Sequence, residues 1–299
     1  MTLLRSILFP AVLLGLSSLA NAQQAADQSL GETLSRTYNI WRQAMVTKDA
    51  RAWDAITASH RKMEVRNRLV SEKRTFPAAV FEVPVPPPSL QGLKLMHLSK
   101  KGLTAKAGYY GPVNFGVGGD PPKNVLVLSF VGEGGHWKYD RADFVNLTAL
   151  EDVRDELDAG DTSYFKETPE CQATGVVPQV PLPMPGAKYI AKVYVFCPGR
   201  EVEVHVNGIS QHTFKNAKEA EIILGGARDG ENRVLFKTKN LEGGTGKEAI
   251  AIRVYLLSQI QGQKPIIAYE YVAQEGEPVE VFAKDKFTVD ADTAKLLIP

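Results

Sequence analysis

Residues 124–147, NVLVLSFVGEGGHWKYDRADFVNL, read as a long apolar strand, a glycine turn and a second strand. Val125, Leu126, Val127, Leu128 and Phe130 put apolar groups on both faces of the first strand, so it is expected to be central in its sheet. Trp137 and Tyr139 are two apart and share one face of the second strand. If that face looks inward, Arg141 and Asp143 continue along it toward one end of the strand.

Working outward, two more alternating segments precede this hairpin. Leu93, Leu95 and His97 alternate with Lys94, Met96 and Leu98, and Leu103, Ala105, Ala107 and Tyr109 form a second set. Gly111-Pro112 predicts a turn, and Gly116, Gly118, Gly119 and Pro121-Pro122 predict a loop. Pro84, Pro86, Pro87 and Pro88 form a stiff extended run unsuited to a central strand. Further upstream, Leu30, Leu34, Tyr38, Trp41 and Met45 recur at helical spacing. Asp49 is the expected N-cap of a short helix carrying Trp53 and Ile56. A third helix over residues 60–73 carries most of a basic run, Arg61, Lys62, Arg66, Arg68, Lys73 and Arg74, against Glu64 and Glu72. A run of this kind is a solvated face or an anion-docking face. Residues 151–159 predict a short closing helix. Helices first, then antiparallel strands, describe an α+β domain with helices on one face of a sheet.

The early tryptophan and the closing hairpin LSFVGEGGHWKYDRA resemble the nuclear transport factor 2-like fold, a cone of curved sheet wrapped by helices. The likeness spans roughly residues 28–160, and the chain departs from it at the proline run of residues 84–88. The family includes SnoaL-like enzymes, so the resemblance implies a general acid/base pocket built from Arg141 and Asp143, joined by Tyr38 or His97. The same ligand-binding set, Tyr38, His97 and Arg141, would serve a non-catalytic pocket. A surface ion pair near a strand end is the alternative reading of Arg141 and Asp143.

Arg5, an apolar run from Ile7 to Leu19 and Ala20-Asn21-Ala22 make a secretory signal peptide cut near Ala22. The expected location is therefore periplasmic or secreted. No later segment is long and apolar enough to predict a membrane span. Without Arg5, 34 basic residues face 34 acidic ones, so no basic footprint points to nucleic acid. Export also makes the two cysteines, Cys171 and Cys197, candidates for one disulfide across an interdomain connection. Two separate buried thiols are the alternative.

The expected domain plan is a signal peptide at 1–22, an α+β domain at 23–170, a proline-rich linker at 171–187 and an all-β sandwich at 188–299. Pro178, Pro181, Pro183 and Pro185 stiffen the linker. Beyond it come about eight short strands. Val202, Val204 and Val206 point inward, and Glu203 and His205 outward. Asn207-Gly208 predicts a two-residue hairpin turn. The pieces VHVNGIS and DGENRVLFKTKN resemble jelly-roll modules of the galactose-binding-like type. A two-residue turn would set Glu203 opposite His212, so Glu203, His205 and His212 form a candidate zinc or copper set on an outward face. Three solvated polar residues are the alternative. Tyr189, Tyr194, Tyr255, Tyr269 and Tyr271 are a candidate glycan platform or ordinary sheet packing.

A hydrolase elbow, a phosphate-cradling loop, a dinucleotide fingerprint and a helical zinc-protease motif are all absent from the sequence. The leading expectation is an exported, non-catalytic two-domain protein without a cofactor. It binds a small ligand, a glycan or an envelope protein. The competing classes are an enzyme with its pocket in the first domain and a structural envelope component. Converging Asp, His and Tyr side chains inside the first domain would favour the enzyme. An interior filled with aromatic rings would favour binding.

Overall fold

The computed structural model describes residues 11–113 and 122–298, with side chains from residue 25 onward. The leader expectation therefore falls largely outside the described residues, as does most of the glycine loop at 114–121. Among the described residues no helix is long and apolar enough to cross a membrane. The chain is mixed α+β, with three antiparallel four-stranded sheets, and its C-terminal part is mostly strand. It divides into two compact units, Met1–Lys62 with Phe81–Val180, and Met63–Val80 with Pro181–Pro299.

The first unit is a meander of β1 (Lys94–Lys101), β2 (Thr104–Pro112), β3 (Lys123–Glu133) and β4 (His136–Val145), in that order across the sheet. The β3–β4 turn needs left-handed backbone at two successive residues, and Gly134 (φ 58°) and Gly135 (φ 80°) supply it. The β2–β3 connection differs from expectation. Gly111 and Pro112 stay in the strand, opposite Asn124 and Lys123.

Strand β3 is an inner strand buried on both sides. Leu126, Leu128 and Phe130 join Leu34 and Tyr38 of α1 (Ala11–Thr47), with Leu30 and Trp41 packed beside them. Val125 and Val127 join Leu147, Leu157 and Phe165 on the other face. That second cover comes from α4 (Glu151–Asp158), α5 (Ser163–Glu167) and the 3-10 turn Pro169–Cys171. The expectation of helices on one face is therefore corrected. A strand apolar on both sides needs two lids, and the short helices after β4 are the second.

The proline run lies outside helix and strand, and its carbonyls find donors on α1. Tyr38 donates its hydroxyl to Pro88 O (2.8 Å), and Arg42 Nε donates to Pro87 O (2.9 Å). Asp49 caps α2 (Ala50–Ile56) by accepting from Arg51 N and Ala52 N.

The second unit pairs two sheets, β11-β10-β5-β8 and β12-β9-β6-β7. The strands are β5 (Ile190–Phe196), β6 (Arg200–Val206), β7 (Ser210–Lys215), β8 (Lys218–Ile222), β9 (Gly230–Asn240), β10 (Ile250–Leu257), β11 (Ile266–Ala273) and β12 (Phe282–Val289). Their inward residues form one sandwich-like core that includes Val193, Val202, Val204, Phe214, Phe236, Ile252 and Val254.

Two stretches fall in different units from the expected plan. Asn67 lies in α3 (Ser59–Ser71); its side chain donates to Leu182 O (2.9 Å) and accepts from Met184 N (2.8 Å). Residues 63–80 thus share a unit with the end of the proline segment. Residues 171–180 stay with the first sheet, where Ala173 N donates to Ser99 Oγ and Gly175 N to Thr104 Oγ1.

The disulfide expectation is also corrected. Cys171 and Cys197 are both free and buried, each in the core of its own unit. Burial raises both thiol pKa values, so neither is an activated nucleophile.

Candidate functional site

Both edge strands of the first sheet carry a one-residue bulge, and the bulges decide where the predicted site residues point. On β4 the register runs Phe130↔Tyr139 and then Ser129↔Arg141, leaving Asp140 as the extra residue. Trp137 and Tyr139 share the face that packs under α1. Beyond Asp140 the parity inverts. Ala142 and Phe144 take Tyr139's face, while Arg141 and Asp143 turn to the opposite one. There they form an exposed ion pair at 3.3 Å. Asp140 itself is held by His60 Nε2 and Arg61 Nε, each at 2.9 Å.

On β1 the pairs are Leu95↔Tyr109 and His97↔Gly108, leaving Met96 extra. Leu95 and Leu98 therefore pack with the α1 face, and His97 turns toward Phe165, ring centroids 5.6 Å apart. Tyr38, His97 and Arg141 do not converge. Tyr38 is fully buried under α1, where burial raises its pKa and keeps the phenol neutral. The interior beneath α1 holds rings rather than a polar pocket. Trp41 and Tyr139 lie 4.0 Å apart by centroid, Tyr38 and Tyr139 5.5 Å, and Phe130 meets Tyr139 edge-on.

The predicted metal set is taken apart by another one-residue slip. The hairpin loop is Asn207-Gly208-Ile209, with Val206 paired to Ser210, so it has three residues rather than two. Every side chain of β7 changes face as a result. His212 lies opposite Val204 and points inward, whereas Glu203 and His205 remain outward. Among the described residues no group of three or more His, Cys, Asp or Glu side chains could hold a metal ion.

Instead His212 is the centre of a relay that sequence reading missed. Ser210 Oγ and His212 Nε2 are 2.6 Å apart, and His212 Nδ1 is 2.6 Å from Glu221 Oε2. The order is that of a nucleophile, a base and an orienting acid. Ser210 is 0% exposed, however, and its oxygen also accepts from Leu224 N (2.8 Å). No substrate reaches it, and the relay acts as a staple from β7 of one sheet to β8 of the other. The basic run is likewise paired off. Lys62 meets Asp54, Arg68 and Arg74 share Glu72, and Arg66 donates to Met184 O.

A hollow lies between α1 and β1. It is an open groove of about 1430 Å³. The apolar stripe of α1 faces the sheet, so Gln28, Glu32, Ser35, Asn39 and Gln43 on its flank form one wall. Leu95, Met96 and Leu98 form the other, and Ile40 and Ala44 add apolar surface. The walls meet at Gly31. A β-carbon there would sit 2.9 Å from Leu95 Cδ2, so any larger residue would push the Leu95 side chain aside. Strand β1 ends the sheet order, and no described strand pairs with its outer side. No family model, curated protein or solved structure matches this chain. The groove therefore has to be read from its own chemistry. Its charged side chains are Asp27, Glu32 and Asp49 against Arg36, a net negative lining.

His97 stands at the rim of the groove. Burial and the nearby Lys166 charge lower its pKa. The folded chain thus binds a proton less readily than the unfolded chain, whose histidine titrates near the ordinary 6.5. The stabilising contribution is full above that value and is lost as pH falls through the folded value. Urea midpoints measured from pH 7.5 to 5 should fall more steeply for the wild type than for His97→Gln. Parallel curves would remove His97 as the cause.

Proposed function

We propose that this chain is an exported, non-catalytic binding protein that takes an extended segment of a partner protein into the α1/β1 groove. One observation carries the reading: β1, whose outer edge no described strand pairs with, forms a wall of an open groove of about 1430 Å³. A strand edge offers backbone N–H and C=O groups in a row, and an added strand satisfies them while its side chains fill pockets alongside. Leu95, Leu98 and Ile40 suit apolar side chains of the guest, and the acidic lining suits a lysine or arginine. The bulge at Met96 breaks the edge into short runs, which favours one bound segment over open-ended pairing.

The ring-filled interior beneath α1 supports binding over acid/base chemistry, because it leaves no polar pocket for a reacting group. The nuclear transport factor 2-like resemblance of this unit, and the galactose-binding-like resemblance of the second, belong to the same reading. So does export. Cleavage near Ala22 would leave the groove wall from Asp27 onward intact.

The test uses a displayed library of random peptides on the full chain without its leader. Enriched peptides should be extended, apolar and basic, and should slow amide exchange in β1. Asn39→Trp, which fills the groove from an exposed helix position, should weaken them at least tenfold, about 1.4 kcal/mol. Failure to enrich any peptide, or peptides that leave β1 amides unprotected, would refute the groove as the site.

A further inference from the structure

The outer face of the sheet β12-β9-β6-β7 concentrates positive charge. Its outward positions carry six basic residues, Lys215, Arg233, Lys237, Lys239, Lys284 and Lys286, against three carboxylates, Glu201, Glu203 and Glu231. The whole chain, by contrast, has a formal net charge of only +1.

The charge is arranged around one apolar residue. Leu235, half-buried in the middle of the inner strand β9, lies opposite His205 on β6 and Lys284 on β12. Arg233 and Lys237 flank it two residues away on the same face of β9. Lys286 lies opposite Arg233. A pocket of about 720 Å³ opens here, lined by Leu235, His205, Arg233, Lys284, Lys286 and the Asn207-Gly208 turn. Small-molecule sites span about 300–1,000 Å³.

Two carboxylates also line the pocket. Glu231 is shared, accepting from Lys286 Nζ (2.9 Å) and Arg233 Nε (3.3 Å). Asp285 belongs to an inward position opposite Val234 and accepts from Lys286 N (2.7 Å). Three cations against two carboxylates leave the pocket positive, and Lys237 beside it reaches Glu203 only at 3.9 Å. Lys284 has no carboxylate within ion-pair distance among the described residues. Its ammonium lies over the exposed Phe282 ring, 5.5 Å from the centroid.

We infer that this pocket binds a small organic phosphate, with Lys284 and Arg233 on the phosphate and Leu235 under the apolar body. Both halves of the ligand are needed. Inorganic phosphate would leave Leu235 uncovered, and a purely apolar molecule would strip water from the surrounding cations without replacing it. The guanidinium of Arg233 presents paired N–H donors that match phosphate oxygens, and Lys284 adds a point charge. A long polyanion fits less well, because it would run past Glu201 and Glu203 on β6. The pocket lies in the second unit, so this inference is independent of the peptide groove.

The test titrates the ¹⁵N-labelled leaderless chain with 1-naphthyl phosphate, inorganic phosphate or 1-naphthol, following amide shifts. The naphthyl phosphate should give saturable shifts in residues 205–208, 233–236 and 283–286. Each of the other two probes should bind at least tenfold more weakly. Raising the salt concentration should weaken the naphthyl phosphate, since exposed charges are screened. Lys284→Ala and Arg233→Ala should each weaken it at least fivefold, and Leu235→Thr should do so while leaving inorganic phosphate unaffected. The unperturbed remainder of each variant's spectrum reports that it is folded. Lys192→Ala, on the other sheet, should change nothing. The inference fails if no saturable shifts appear at those amides, or if Lys284→Ala and Arg233→Ala bind as the wild type does. It fails also if inorganic phosphate or 1-naphthol alone binds as tightly as the ester, since one half of the ligand would then be superfluous.

Discussion

Replacing Tyr139 by alanine should destabilise the first unit by about 3–5 kcal/mol, the range for removing a large aromatic side chain from a packed core. The ring is 4% exposed and touches Trp41, Tyr38 and Phe130, which belong to α1 and β3. No neighbour can refill the space without breaking another ring contact. Its backbone adds a second tie, since Tyr139 O accepts from Ala58 N at 2.8 Å. That bond survives the substitution, so the loss isolates the ring. Tyr139→Phe keeps the ring and should stay within about 1 kcal/mol of wild type. All three tryptophans, Trp41, Trp53 and Trp137, lie in this unit, so tryptophan fluorescence during urea unfolding reports on it directly. An unchanged midpoint for Tyr139→Ala would mean that the ring cluster is not the core it is taken to be.

How much of this was legible in the sequence depends on how local each feature is. The stripe of α1, the Asp49 cap and the glycine turn at 134–135 were readable, because each is decided within a few residues. The single-residue slips are less local, yet each leaves a trace in the sequence. On β4 the apolar positions switch from odd, Trp137 and Tyr139, to even, Ala142 and Phe144. That switch marks the bulge at Asp140 and moves Arg141 and Asp143 off the α1 face. On β7, Phe214 must point into the core, and His212, two residues before it, must follow. The Asn207-Gly208 pair suggests a two-residue turn that conflicts with this parity and would place His212 on the outer face with Glu203 and His205. The cysteines illustrate the opposite limit. Their spacing allowed a bridge, but nothing in a sequence distance distinguishes a staple from two thiols in two cores. The groove between α1 and β1 had no motif at all. It exists because β1 ends a sheet, which only the strand order reveals.

The relay at His212 carries the second large effect. His212→Ala should cost the second unit about 2–4 kcal/mol, from the ring's lost packing and from the polar groups it leaves behind. The side chain is 4% exposed and its ring stacks on Phe214, centroids 6.1 Å apart. Once the imidazole is gone, the Ser210 hydroxyl keeps Leu224 N as a donor but has no acceptor for its own proton, inside a site closed to water. Ser210→Ala should cost about 1–3 kcal/mol, because the Leu224 amide then loses its partner. The two losses overlap, since both break the same hydrogen bond. The double variant should therefore be more stable than the sum of the single losses implies, by about 0.5–3 kcal/mol. Glu221 is the outer member, with its side chain 47% exposed, so water can replace it and Glu221→Gln should have the smallest effect of the three. Slowed exchange of the β7 and β8 amides in the wild type, and its loss in His212→Ala, would locate the effect at the seam between the sheets. A strictly additive double variant would reduce the relay to three residues that happen to be near one another.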